Sequence, residues 1–344
     1  MKIISLAIVL VFGSELCAHS ITEHPTREIS NGSLIVGNAT ESYQFVPGWG
    51  TLPDGQVIGP THGGVAVDPQ TGYVYVSTKS KYSILVYQAD GRFIEAIAPK
   101  CKGFHALDFS VRDGQSALYG AQLKGEHSRI CKLDTSGKIL LEISANSNPK
   151  LAGGWGGLTS VALAPDGTIF CSMGYGSNLI HKFSPKGEHL LSFGGKGAGD
   201  AVRTKTCHGL KVDTRFEPAR LLVCDRENRR IFHTSLDGVW IGEVASNLRR
   251  PCAISIYRDM CAIAELEGRV TLLDKQGVTI AHLGDNPVEE QRANFKVRPN
   301  SINESVFTAP HGLSFDLKGN LYVQDWNKYG RVSKLIRMVQ SKAL

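Results

Sequence analysis

Three histidines recur at an interval of 103 residues: His105 in FHALDF, His208 in CHGLKV and His311 in PHGLSF (208 − 105 and 311 − 208). Each is followed by a small residue and then by an alternating apolar run. Equal spacing in a repeat protein puts residues at equivalent places in successive units. If the units close into a ring, the three imidazoles converge on its axis. Three converging imidazoles make a metal site with a fourth position open, an arrangement frequent in catalytic zinc centres. The competing reading is three polar residues lining a wet channel. Identical residue type and identical offset within the strand favour the metal. Imidazole suits zinc, and iron, copper or nickel fit the same ligand type.

The elements that would carry these histidines are short strands separated by turn signals, the all-β pattern. One unit is clear at Thr159–Gly194: SVALAP, the turn Asp166-Gly167, TIFCSM, NLIHKFS, the turn Pro185-Lys186-Gly187, and HLLSFG. That is one four-stranded propeller blade. The same grammar recurs after GVAVDP, ALDFSV, GLKVDT, AISIYR and GLSFDL. The expected fold is therefore all-β, a six-bladed β-propeller. The last blade has only three strands before the chain ends. Ser42–Val46 (SYQFV) is expected to supply the fourth and close the ring, which also removes exposed edges. Aligned first strands put His62, His105, Thr159, His208, Cys252 and His311 on the axis. His62 reads as a donor to a ligand or as a substrate contact. Cys252 reads as a soft ligand, a redox-sensitive thiol or a small apolar filler, with filler the default. Residues 286–307 form a long polar connection, expected over one mouth of the channel.

Residues 1–20 read as a signal peptide: Lys2, an apolar run from Ile3 to Phe12, and small residues at Ala18 and Ser20. Cys17 lacks the small residues that normally precede a lipidated cysteine. A leader at 21–41 and the propeller at 42–340 complete the organisation. No later run is long enough to span a bilayer. A soluble, secreted or periplasmic monomer is expected. The net charge of +6 is spread over 344 residues with no basic block, which argues against nucleic-acid binding. Seven cysteines follow the signal peptide, so at least one thiol stays free in an oxidising compartment. A Cys252–Cys261 bridge is not expected, because the two begin successive strands of one hairpin and lie near opposite ends. No nucleophile elbow, P-loop, GxGxxG or HExxH pattern is present.

The segments Asp225-Arg226-Glu227-Asn228-Arg229-Arg230-Ile231 and Asp325-Trp326-Asn327 resemble the D-x-x-N-x-R-[IV] motif of NHL-repeat β-propellers. Within these, the chain looks most like peptidyl-α-hydroxyglycine α-amidating lyases over roughly 42–340, most densely at 155–235 and 307–330. The resemblance implies zinc ligands at His105, His208 and His311. It implies a catalytic tyrosine at Tyr175 in SMGYGSNLI and an active-site arginine at Arg226 in VCDREN. Lys79 stands where the family has a second arginine, keeping a cation but losing the bidentate fork. Ala309 replaces a methionine, and Gly312 replaces an aspartate tied to structural calcium, so the resemblance gives calcium little support. The family's disulfide positions are absent.

The implied reaction cleaves the C–N bond of an α-hydroxyglycine-type substrate to an amide and glyoxylate. The substrate would be a peptide or small molecule with a C-terminal carboxylate. Read without the resemblance, Tyr175 is a packing or surface residue, Arg226 an ion-pair residue between blades and Lys79 a solvated cation. The alternatives are a non-catalytic propeller that binds a protein or polysaccharide, or another metal-assisted propeller lyase or hydrolase.

Overall fold

The computed structural model describes residues 34–338, apart from 124–127, 149–150, 152–153 and 198–200. The expected signal peptide, the first part of the leader and residues 339–340 lie outside the described residues. Six antiparallel sheets stand around an axis as a six-bladed propeller. The innermost strands are Val65–Val67, Phe104–Arg112, Ser160–Leu163, Cys207–Asp213, Pro251–Tyr257 and Pro310–Phe315. Each packs against the next, and blade six packs against blade one.

The burial of each strand follows its place in the blade. Second strands such as Val74–Ser77, Ile169–Ser172 and Met260–Glu265 are buried at every residue. A neighbouring blade covers each of their faces, so their sequences are continuous apolar runs. Outer strands such as His189–Gly194 and Trp240–Ala245 hide only alternate residues, because one face meets water. The apolar core is correspondingly split into six main layers, one between each pair of adjacent blades.

The ring closes as the three-stranded last blade requires. Ser42–Val46 pairs antiparallel with Arg331–Met338, in the register Ser42↔Met338 to Val46↔Lys334. Alternate residues of this strand, Tyr43 and Phe45, are buried, and the Phe45 ring lies 5.1 Å from that of Phe307. Glu41 accepts a charged hydrogen bond from Arg337 Nη2 at 2.8 Å, fixing the strand's entry. Residues 35–37, placed in the leader from the sequence, add a fifth strand outside Ser42–Val46. Its pattern was too short to read.

In the connection between blades five and six, Ala293 packs against the cluster of Cys252, Leu266 and Ala309, and the Phe295 ring lies 4.9 Å from that of Trp326. The connection carries two short 3-10 turns, Glu289–Gln291 and Pro299–Ser301. Backbone bonds from Ala293 to Thr308 and from Lys328 to Phe295 tie it to blade six. The seven described cysteines are all buried free thiols. Among the described residues no helix is long and apolar enough to cross a membrane.

Candidate active site on the propeller axis

A one-residue irregularity aims each key side chain. The ladder pairs Phe104 with Gln122 and Ala106 with Ala121, leaving His105 as the extra residue. The same happens at His311, between the Pro310–Asp325 and Gly312–Gln324 pairs. At blade four, His208 and Gly209 together oppose Cys224. Cys252 is bulged in the same way, between the Pro251–Glu265 and Ala253–Ala264 pairs. A bulge turns its side chain out of the alternation of the strand, here towards the axis. Thr159 lies just before Ser160–Leu163, and its backbone N–H donates at 2.9 Å to Ser172 O, the residue opposite Ser160; His62 lies three residues before Val65–Val67.

The small residue after each bulged position lets the inner strands crowd together. A Cβ on Gly312 would come 1.6 Å from the Gly63 carbonyl oxygen, and one on Gly209 would come 2.4 Å from that of Cys252. An aspartate at position 312 therefore has no room in this packing.

The rings of His105, His208 and His311 meet with centroids 4.6–4.9 Å apart. His62 joins them at 4.5 Å from His105 and 4.9 Å from His311, with Trp326 stacked at 6.1 Å on its other side. The donor atoms of His62, His105 and His311 lie within 4.8 Å of one another, as do those of His208, Cys252 and His311.

Backbone carbonyls set the tautomers. His105 Nδ1 donates to Thr159 O at 2.6 Å and His208 Nδ1 to Cys252 O at 2.8 Å. Burial pushes His105 down to about 3 and holds His208 and His311 well below the usual histidine range, so all three are neutral. With Nδ1 protonated, the Nε2 lone pairs of His105 and His208 face the axis.

Tyr175 closes the site from above. It sits in the turn after Ile169–Ser172, with its backbone N–H on Gly157 O at 3.0 Å. Tyr175 is 40% exposed at the mouth, yet its hydroxyl points inward. Oη lies 3.3 Å from His105 Nε2 and 3.0 Å from His208 Nε2. Arg226 Nη1 donates to the same oxygen at 3.1 Å. Burial pushes the phenol up to about 12, against the pull of Arg226. Arg226 is held in turn by Glu227 Oε1 at 2.9 Å, and Arg250 Nη2 binds that oxygen at 2.7 Å. Lys79 is exposed in the corresponding turn of blade one, its backbone N–H on Pro60 O at 2.8 Å.

The donors fit a divalent cation as two overlapping sets that share His311, while His105, His208 and His311 do not by themselves form one of the close sets. Tyr175 has one proton and faces two acceptor nitrogens, so one lone pair receives no proton. His311 Nδ1, also buried, finds no hydrogen-bond partner among the described residues. Unserved lone pairs on buried neutral imidazoles are what a metal ion satisfies.

Below the histidines runs a narrow cavity of about 50 Å³, lined by the innermost strands of all six blades. It holds a few waters at most. Asp108 and Lys211, three residues after His105 and His208, bridge it with contacts of 2.9 Å. Sequence reasoning missed this ion pair, although it shares the 103-residue interval (211 − 108). It also missed the Arg250–Glu227 brace, since nothing in DREN identifies the partner.

The chain was compared with protein-family models and with curated proteins, and neither gave a match. Solved structures do resemble it. A streptogramin B lyase aligns over 86% of this chain and 98% of its own, at 15% identity and a TM-score of 0.55. A protein of unknown function from Bacteroides thetaiotaomicron aligns over 84% and 72%, at 13% and 0.59. A catalytically inactive virginiamycin B lyase from Staphylococcus aureus with quinupristin aligns over 86% and 99%, at 14% and 0.53. At these identities the likeness shows a shared fold.

Proposed function

We propose that the protein is a metal-dependent carbon–nitrogen lyase of the amidating-lyase type, acting on α-hydroxyglycine-terminated substrates. The observation that carries this reading is the Tyr175 hydroxyl, held against two axial imidazoles with the Arg226 cation upon it. The lyase names of two structural neighbours support an elimination.

His105, His208 and His311 would hold a divalent ion such as zinc, whose charge lowers the pKa of a substrate hydroxyl and, with Arg226, favours the Tyr175 phenolate. The mouth admits the substrate end-on, because the cavity beneath is too small for it. Arg226 binds the substrate carboxylate through N–H groups beyond those on Tyr175 and Glu227, and Lys79 adds a second positive charge. That clamp fixes the α-carbon beside Tyr175 Oη. Tyr175 accepts the hydroxyl proton. The C–O bond becomes the carbonyl of glyoxylate, and the C–N bond breaks with its electron pair on nitrogen. Tyr175 then returns the proton to that nitrogen, giving the carboxamide.

The test is release of glyoxylate from an N-acyl-α-hydroxyglycine by metal-loaded protein. Stoichiometric glyoxylate and amide are expected. A loaded protein that releases no glyoxylate from several such substrates would remove this reading.

A further inference from the structure

We infer that Cys252 is a metal ligand through its thiolate, which makes the axial centre a mixed nitrogen–sulfur site selective for soft divalent ions. The inference rests on the metal-centre reading above and goes beyond it in naming a fourth donor and the class of ion; the substrate hydroxyl would then enter as a fifth ligand.

Two independent observations carry it. First, Cys252 is turned towards the axis by the same device as the three histidines. The ladders carry the same extra residue at His105, His208, His311 and Cys252, which puts the Cys252 side chain at the equivalent place in its blade. Second, Cys252 Sγ lies with the donor nitrogens of His208 and His311 inside 4.8 Å. All three residues are at most 3% exposed. Tetrahedral donors at zinc–nitrogen and zinc–sulfur distances stand roughly 3.3–3.8 Å apart, so small side-chain rotations bring this set onto one ion. The other close set includes His62, which is partly exposed and stacked on Trp326 at the mouth.

Cys252 also orients its partner. Its carbonyl oxygen fixes His208 Nδ1 at 2.8 Å, so one residue aims the neighbouring imidazole and presents the sulfur beside it. On ligation the thiol gives up its proton to solvent and its sulfur lone pair to the ion, with no change of oxidation state. Thiolate favours zinc, cobalt or copper over magnesium, calcium or manganese.

The probe is cobalt(II), loaded into the folded full-length protein. Wild type is expected to bind one cobalt per chain and to show the intense near-ultraviolet sulfur-to-cobalt charge-transfer band. Cys252→Ser, nearly isosteric, should abolish the band and weaken cobalt binding by about tenfold or more. His62→Ala should keep the band. Circular dichroism of Cys252→Ser and of Cys252→Ala checks that the blades remain folded. Cobalt bound without the band would overturn the inference and leave an imidazole-only centre. A band that survives in Cys252→Ser would assign it to another thiol, such as the nearby Cys224, and would also overturn it. No bound cobalt at all would remove this inference and the metal-centre reading together.

Discussion

Lys211 Nζ lies 2.9 Å from each carboxylate oxygen of Asp108, joining blade two to blade four across the axis. The two residues stand directly under the histidine tier and narrow the cavity there. Their side chains are 28% and 17% exposed, so the pair is neither a surface bridge nor a fully buried one. Lys211→Met leaves the Asp108 charge without its partner. A loss of about 1–3 kcal/mol is expected in urea unfolding, between the values typical of exposed and buried pairs. Metal content should stay unchanged, since neither residue reaches the imidazoles. Loss of metal with unaltered stability would show that the pair belongs to the centre instead.

Tyr175→Phe removes the proposed proton carrier but no proposed ligand. Turnover should fall by about 10²–10⁴-fold, with metal content measured by elemental analysis equal to wild type. A variant that keeps its rate would show that Tyr175 only covers the mouth.

Arg226 touches Tyr175 and, in the proposed complex, the substrate carboxylate. Arg226→Lys should raise KM more for a carboxylate substrate than for the corresponding methyl ester, because the fork is lost while the charge remains. Equal effects on both substrates would assign Arg226 to bracing the mouth with Glu227 and Arg250.

The closing strand is the part of the fold read most directly from sequence. Three strands after His311 and an unassigned SYQFV segment left one way to complete the ring, and the register from Ser42 to Val46 follows it. Blade number and strand positions were legible because each second strand is a continuous apolar run and each turn carries its glycine or aspartate. The bulges were not legible, since an extra residue in a ladder leaves no mark in composition or period. The equal spacing of the three histidines and the place of Cys252 beside them on the axis were visible, while the bulges that turn these side chains inward were not. Phe45→Ala tests the closure itself. The side chain is 4% exposed and packs on Phe307, so a loss of about 3–5 kcal/mol is expected in denaturant unfolding. A change under about 1 kcal/mol would mean that the strand is a dispensable cover.

Asp213 gives the acid limb of stability. Burial alone would raise its pKa, but hydrogen bonds from Arg215 and His233 outweigh it and hold the carboxyl well below its usual range. A depressed folded-state value contributes stability above the unfolded pKa of about 3.9, which is lost as pH falls below it. Asp213→Asn should therefore be less stable than wild type at pH 7, and the gap should shrink below about pH 4. A gap that stays constant across that range would show that the ionised form is not what stabilises the fold.

Elemental analysis of the purified protein tests most directly whether the axis is a metal centre. One divalent transition-metal ion per chain is expected in wild type and in His62→Ala. Occupancy should drop sharply in His105→Ala, His208→Ala and His311→Ala, each folded by circular dichroism. Wild-type protein that holds no stoichiometric metal after incubation with zinc and buffer exchange would contradict the account. So would a His311→Ala protein that binds the ion as well as wild type.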